Sequence, residues 1–148
     1  MVWKPDVTVA AIAERDGRFL LVEERTGKGL MLNQPAGHLE PDESLLEGCV
    51  REALEETAYD FSPQYLVGIY RWRRHDGQAT YLRFAFGGST SPQPAQRRLD
   101  RGIVRTMWLT PEEIRSKRDR HRSPLVLRCV EDYLRGNRFP LDLLVHYA

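Results

Sequence analysis

Between Gly37 and Tyr59 the chain reads GHLEPDESLLEGCVREALEETAY, and no other stretch limits the fold as tightly. Placed on a helical wheel, Leu45, Leu46, Cys49, Val50, Ala53 and Leu54 occupy about half of the circumference. Glu52, Glu55 and Glu56 fill an adjoining arc, with the i, i+3 and i+4 spacing of neighbours on one helix face. A segment divided in this way folds as a helix over about residues 42–57 and presses its apolar side onto another layer. Pro41 and Asp42 suit its start, and Glu43 favours the positive end of its dipole. The acidic side needs a counter-charge, because crowded carboxylates repel one another. A divalent cation is the usual one, and Mg²⁺ is the usual ion where phosphate oxygens share the site. Gly48 falls inside the acidic arc. A glycine in a helix interior costs roughly 1 kcal/mol against alanine, so Gly48 marks either room for an approaching group or a tight contact between helix and sheet.

The flanking sequence supplies strands for that other layer. Residues 7–12 and 19–23 are apolar runs around Asp16-Gly17, the signature of a hairpin. Residues 30–34 form a short strand stopped by Pro35 and Gly37. Residues 65–74 and 79–87 form two strands joined at His75-Asp76-Gly77-Gln78. In the second of them Leu82, Phe84 and Phe86 share one face, and Tyr81, Arg83 and Ala85 the other. Residues 88–98 are loop by composition, and a further strand covers 103–109. Thr110-Pro111-Glu112-Glu113 is a capping box with proline at the first helical position. Ser123-Pro124 opens another helix, striped by Leu125, Cys129, Val130, Tyr133 and Leu134 and closed by Gly136. The tail, 137–148, is apolar enough to pack back on the domain. Hairpins mixed with a few helices indicate an α/β layered domain with a mixed sheet, one domain over residues 1–148.

Charge and composition exclude several classes. Lys and Arg number 22 against 21 Asp and Glu, a balance that argues against nucleic acid as the partner. No run approaches the roughly 18 apolar residues of a membrane span. Asp6, Glu14 and Arg15 interrupt the start, which does not read as a signal peptide. Cys49 and Cys129 both fall among apolar residues on predicted helix faces and read as buried, reduced thiols. Together these features point to the cytoplasm, with no membrane partner.

From Gly37 the sequence resembles the Nudix box, G-x(5)-E-x(7)-R-E-u-x-E-E-x-G-u with u aliphatic. Gly37, Glu43, Arg51, Glu52, Glu55 and Glu56 all stand in register. The segments KPDVTVA, FLLVEE, NQPAGHLE, FAF and RSPLV, and the tail Phe139-Pro140-Leu141, are similar to the phosphatase NudJ subfamily of that family. The chain departs from the box at its end, where Ala58 replaces glycine and Tyr59 the aliphatic residue. Glycine there favours a left-handed helix end, a conformation that costs alanine roughly 1 kcal/mol or more.

The resemblance implies a Nudix-type α/β/α sandwich and an enzyme that hydrolyses phosphoanhydrides by water attack at phosphorus. It implies Mg²⁺ as cofactor, with Mn²⁺ as the alternative, held by Glu52, Glu55, Glu56 and the carbonyl of Gly37. Arg51 and Glu43 are implied as supports that orient the ligating carboxylates, and Glu52 or Glu56 as the proton acceptor. The substrates implied are small phosphorylated molecules: nucleoside di- or triphosphates, or pyrimidine diphosphates of the thiamine pathway, with release of orthophosphate. Two other functions compete: a nucleotide or metabolite sensor on the same fold without turnover, and hydrolysis of RNA 5′ ends.

Several residues outside the box are open to two readings. Asp100 is either a later acid that serves the reaction or a loop residue in water. Gln34 and Asn33 precede the box and are candidates to face the cleft. Tyr70, Trp72, Arg73, Tyr81 and Arg83 offer aromatic and basic surface on one hairpin, for stacking a ring or holding phosphate, or are ordinary outward strand residues. His38 either approaches a phosphate or is a satisfied loop residue. The basic run from Arg115 to Arg122 is a contact for phosphate or RNA, or a hydrated linker. The sequence leaves the oligomeric state open.

Overall fold

A computed structural model describes residues Met1–Ala148. Its hub is β1 (Asp6–Arg15), which turns at Asp16 and Gly17, both at positive φ, into the antiparallel β2 (Arg18–Thr26). Asp-Gly tolerates that turn, so this hairpin forms where the sequence places it. β3 (Gly29–Asn33) and β7 (Ile103–Leu109) flank β2. On its other side β1 runs parallel to β6 (Thr80–Thr90), which pairs antiparallel with β5 (Phe61–Arg73). One parallel pair among antiparallel ones makes the sheet mixed, as expected.

Alternation along β1 feeds two cores. Val9, Ala11 and Ala13 pack with Cys49 and Ala53 of helix α1 (Leu45–Thr57). Ala10 and Ile12 point the opposite way, into a cluster with Ile114 of α2 (Pro111–Ser116) and Leu127, Cys129 and Val130 of α3 (Leu125–Leu134). The result is the expected α/β/α sandwich. Cys49 and Cys129 are both buried and unbridged, one in each core. No helix is long and apolar enough to cross a membrane.

Four local expectations need correction. Helix α1 begins at Leu45, not near Asp42, because Ser44 and Glu47 close a capping box that satisfies both of their backbone N–H groups. Glu43 therefore stands outside the helix rather than serving its dipole. Second, β3 does stop before Pro35, but a further strand follows at once: Ala36–His38 forms β4, paired antiparallel with Thr8, Val9 and Ala10 of β1. Three residues are too few to show a period. Third, the basic run is no loose linker. It finishes α2, makes a 3₁₀ turn at Arg118–Arg120 and bonds to β3 through the Arg122 N–H and the Leu32 carbonyl at 2.8 Å. Fourth, the tail packs back only in part. Phe139 and Leu66 exchange two backbone hydrogen bonds of 2.8 Å, and Leu141 and Leu144 join the α1-side core, but Val145 and Tyr147 are exposed. Ala58 takes the left-handed conformation, φ 64°, that the box reserves for glycine.

Candidate active site

The acidic arc of α1 is organised by Arg51. Its Nε and Nη2 grip both oxygens of Glu43, at 2.8 and 2.6 Å. Nη1 reaches Glu52 at 2.7 Å and Glu55 at 2.9 Å, and Nη2 also donates to the His38 carbonyl. One guanidinium thereby ties two helix residues to the loop before the helix. The Arg51 bonds hold the Glu43 carboxyl below its ordinary range although burial opposes this. Gly48 explains how the loop comes so close: a Cβ there would lie 2.9 Å from Glu43 Oε1 and 3.1 Å from Leu39. Its role is neither ligand access nor helix–sheet packing; it makes room for the carboxylate that clamps Arg51.

Glu52 is 8 % exposed and lies against Gly37 of β4, where a Cβ would sit 2.2 Å from its carboxyl carbon. Any side chain at 37 would displace that carboxylate from its place on Arg51. Glu56 Oε1 accepts the Ala36 N–H at 3.0 Å. Burial pushes the Glu56 carboxyl up to about 9 against the pull of that bond, and the charges of Glu52, Glu24 and Asp100 push the same way. Burial also raises Glu52, opposed by Arg51. Asp100 is exposed, yet its N–H donates to the Glu55 carbonyl at 2.9 Å, so a loop brings this later acid to the edge of the cluster. Its carboxyl is raised by partial burial and by the charge of Glu55.

Can this set hold a divalent cation? As the side chains stand, drawn toward Arg51, no group of three is placed to chelate one. The chemistry of the donors nevertheless fits. They are hard oxygens on Glu52, Glu55 and Glu56 beside the backbone of Gly37, and Glu56 has no cationic partner while the other two share one guanidinium. Such a corner carries excess negative charge of the kind a hard divalent cation would neutralise.

The corner opens onto a cleft of about 1230 Å³ whose lining includes Gly37, Glu52 and Glu56. One side of it is a face of the sheet, with Thr8, Trp72, Tyr81 and Arg83, and Arg74 follows just past the end of β5. Trp72 and Tyr81 are partners in the β5–β6 register, and their rings stack with centroids 5.7 Å apart. His38 also lines the cleft, its ring 6.4 Å from that of Tyr81. Gln34 does not face the cleft, against expectation. It is 1 % exposed, its amide donating to the Val126 carbonyl at 2.7 Å and accepting from Arg83 at 2.9 Å. Tyr70 is spent on Asp132, at 2.8 Å, and Arg73 is not part of the lining. The second half of the basic run is spoken for, whereas Arg118 lines the cleft. Arg120 joins Arg105 on the buried Glu23, Arg122 pairs with Glu24 at 2.9 Å, and the buried His121 ring bonds the Ile114 carbonyl. Nothing local marks Glu24 of β2, Lys28 of the β2–β3 turn or Arg128 of α3, which the fold brings to the cleft lining.

The NUDIX domain model matches residues 3–129. Phosphatase NudJ of Shigella boydii is 38 % identical over 143 residues, 97 % of this chain and 92 % of the relative. Phosphatase NudJ of Escherichia coli is 37 % identical over the same spans. A NUDIX hydrolase from Nitrosomonas europaea has a similar structure, with TM-score 0.94, 52 % identity and coverage of 97 % of this chain and 98 % of that one. A MutT NUDIX hydrolase from Burkholderia pseudomallei shares the fold at TM-score 0.74 and 17 % identity, over 88 % and 98 % of the two chains.

Proposed function

This chain belongs to the Nudix hydrolase family and is an enzyme that hydrolyses pyrophosphate bonds, and we propose that it does so with Mg²⁺ at the corner of Gly37, Glu52, Glu55 and Glu56. One observation supports the assignment of the site: Gly37, Glu52 and Glu56 line one corner of an open cleft, Glu55 stands beside Glu52 on Arg51, and the carboxylates outnumber the one guanidinium. Mn²⁺ is the alternative ion. The substrates we infer are nucleoside di- or triphosphates or pyrimidine diphosphates of the thiamine pathway, with orthophosphate released. The phosphatase name of the NudJ relatives supports that product. Residues 1–148 act as one domain, and the two buried thiols suit the cytoplasm.

When bound, the cation relieves charge on the phosphoryl oxygens and lowers the pKa of a water molecule. The protein supplies placement. Arg51, braced by Glu43, fixes the rotamers of Glu52 and Glu55. The Ala36 N–H fixes Glu56 through Oε1 and leaves Oε2 without a hydrogen bond, so that Oε2 is the atom placed to accept a proton from water. Trp72 and Tyr81 offer a flat surface for a ring of the substrate.

A sensor without turnover would not need Arg51, Glu52, Glu55 and Glu56 together. RNA 5′-end hydrolysis has less support, because two cations of the basic run, Arg120 and Arg122, are paired with Glu23 and Glu24. The test is phosphate release over nucleotides, sugar nucleotides and thiamine precursors, with and without EDTA. Release that stops with EDTA and with Glu52→Gln supports the proposal. Tight binding without release points to the sensor.

A further inference from the structure

Arg83 extends from β6 into the cleft wall and is 6 % exposed. A guanidinium so buried ordinarily meets a carboxylate, since an unpaired buried charge is costly. Here no aspartate or glutamate oxygen lies within ion-pair distance of it; its partners are neutral. Nη1 donates to Gln34 Oε1 at 2.9 Å and to Cys129 Sγ at 3.8 Å, and Nη2 to Asn33 Oδ1 at 3.0 Å. Nε has no partner, yet no buried side-chain nitrogen or oxygen in the protein lacks one, so Nε is open to the cleft. Nε and the second Nη2 hydrogen together form the fork that suits a phosphate or carboxylate.

The frame around this fork is rigid. The Gln34 amide nitrogen is held by the Val126 carbonyl, which obliges its oxygen to face Arg83. Two residues further on, Ala36 holds Glu56. The fork and the acidic corner thus line the same cleft, and Gln34 and Ala36, which hold them, stand two positions apart in the chain.

We propose that Arg83 receives a second anionic group of the substrate, the phosphate that is not attacked, and that Gln34 and Asn33 are positioning residues that orient the cation without neutralising it. The ligand class is an organic di- or triphosphate, with adjoining phosphates bridging fork and corner. The identity of the anion rests on the hydrolase reading above; the existence of the receptor does not.

Calorimetric titration of inorganic pyrophosphate into the full chain, in EDTA and at constant ionic strength, tests this without turnover. The wild type binds, and Arg83→Gln binds at least tenfold more weakly. Asn33→Asp also binds at least tenfold more weakly, because the new carboxylate occupies the guanidinium. Its melting temperature without ligand is unchanged or higher, since the buried charge gains a partner and the Asn33 amide nitrogen gives up no hydrogen bond. A merely structural Asn33 would leave the affinity unchanged in that variant. No binding by the wild type, or wild-type affinity in folded Arg83→Gln, overturns the receptor. Wild-type affinity or a lowered melting temperature in Asn33→Asp overturns the positioning role. Failure of hydrolysis alone leaves this result standing, since no bond is broken in the titration.

Discussion

Two arginines, Arg51 behind the acidic corner and Arg83 in the cleft lining, are surrounded in opposite ways. Arg51 is gripped by Glu43, Glu52 and Glu55, so its charge is used up and the excess around it is negative. Arg83 is held by two amides and a thiol, so its direction is fixed and its charge is spared. The same side chain is a brace in one place and an open receptor in the other. Its neighbours decide which: carboxylates consume a guanidinium, and amide oxygens only aim it.

The sharpest way to break this contrast is Glu56→Gln. Turnover should fall by about 10²–10⁴-fold in a phosphate-release assay, with the circular dichroism spectrum unchanged. Undiminished turnover would reduce the acidic corner to a set of ion pairs. Arg51→Met should cost about 3 kcal/mol in urea denaturation, because Glu43 and Glu52 are left largely buried and unpaired. If stability holds, Arg51 is not the brace.

Glu23 is a third case, between the two extremes: one buried carboxylate balanced by Arg120 and Arg105. Burial pushes its carboxyl up, but the two arginines prevail and hold it below its ordinary value of 4.5. A lowered folded pKa adds stability that is complete above the unfolded value and is lost as the pH falls through the folded one. Glu23→Gln should therefore cost about 2 kcal/mol at neutral pH. The gap from wild type should close as the pH drops below 4.5. A gap that does not change with pH would mean that the pair adds nothing.

On the sheet side of the cleft, Trp72→Ala should raise KM about tenfold for substrates carrying a planar ring. An equal rise for a ringless substrate would remove the stacking role. The smallest effect belongs to Ala58→Gly, which should stabilise the fold by about 1 kcal/mol by relieving the left-handed conformation. Calorimetric melting measures it, and a lower midpoint would show that the buried methyl of Ala58 outweighs its strain.

The acidic corner was legible because its carboxylates lie within one helix, where spacing alone fixes which side chains are neighbours. The Asp16-Gly17 hairpin was legible for the same local reason. Gln34 was misplaced because a polar residue beside a motif looks the same whether it faces a cleft or a core. Its burial depends on Val126 and Arg83, which are distant in sequence. The basic run looked solvated because the acids that hold it, Glu23 and Glu24, are on β2, about a hundred positions earlier in chain order.

By itself the sequence determined the α/β layering, the reduced cysteines and the carboxylate corner with its glycine, since each follows from periodicity or from a short-range motif. Only the tertiary structure decided that Gly48 makes room for Glu43, that Asp100 reaches the helix, and that Arg83 is buried without a counter-charge. Those are meetings between segments far apart in the chain, and no local spacing encodes which partner a side chain finds when the layers close.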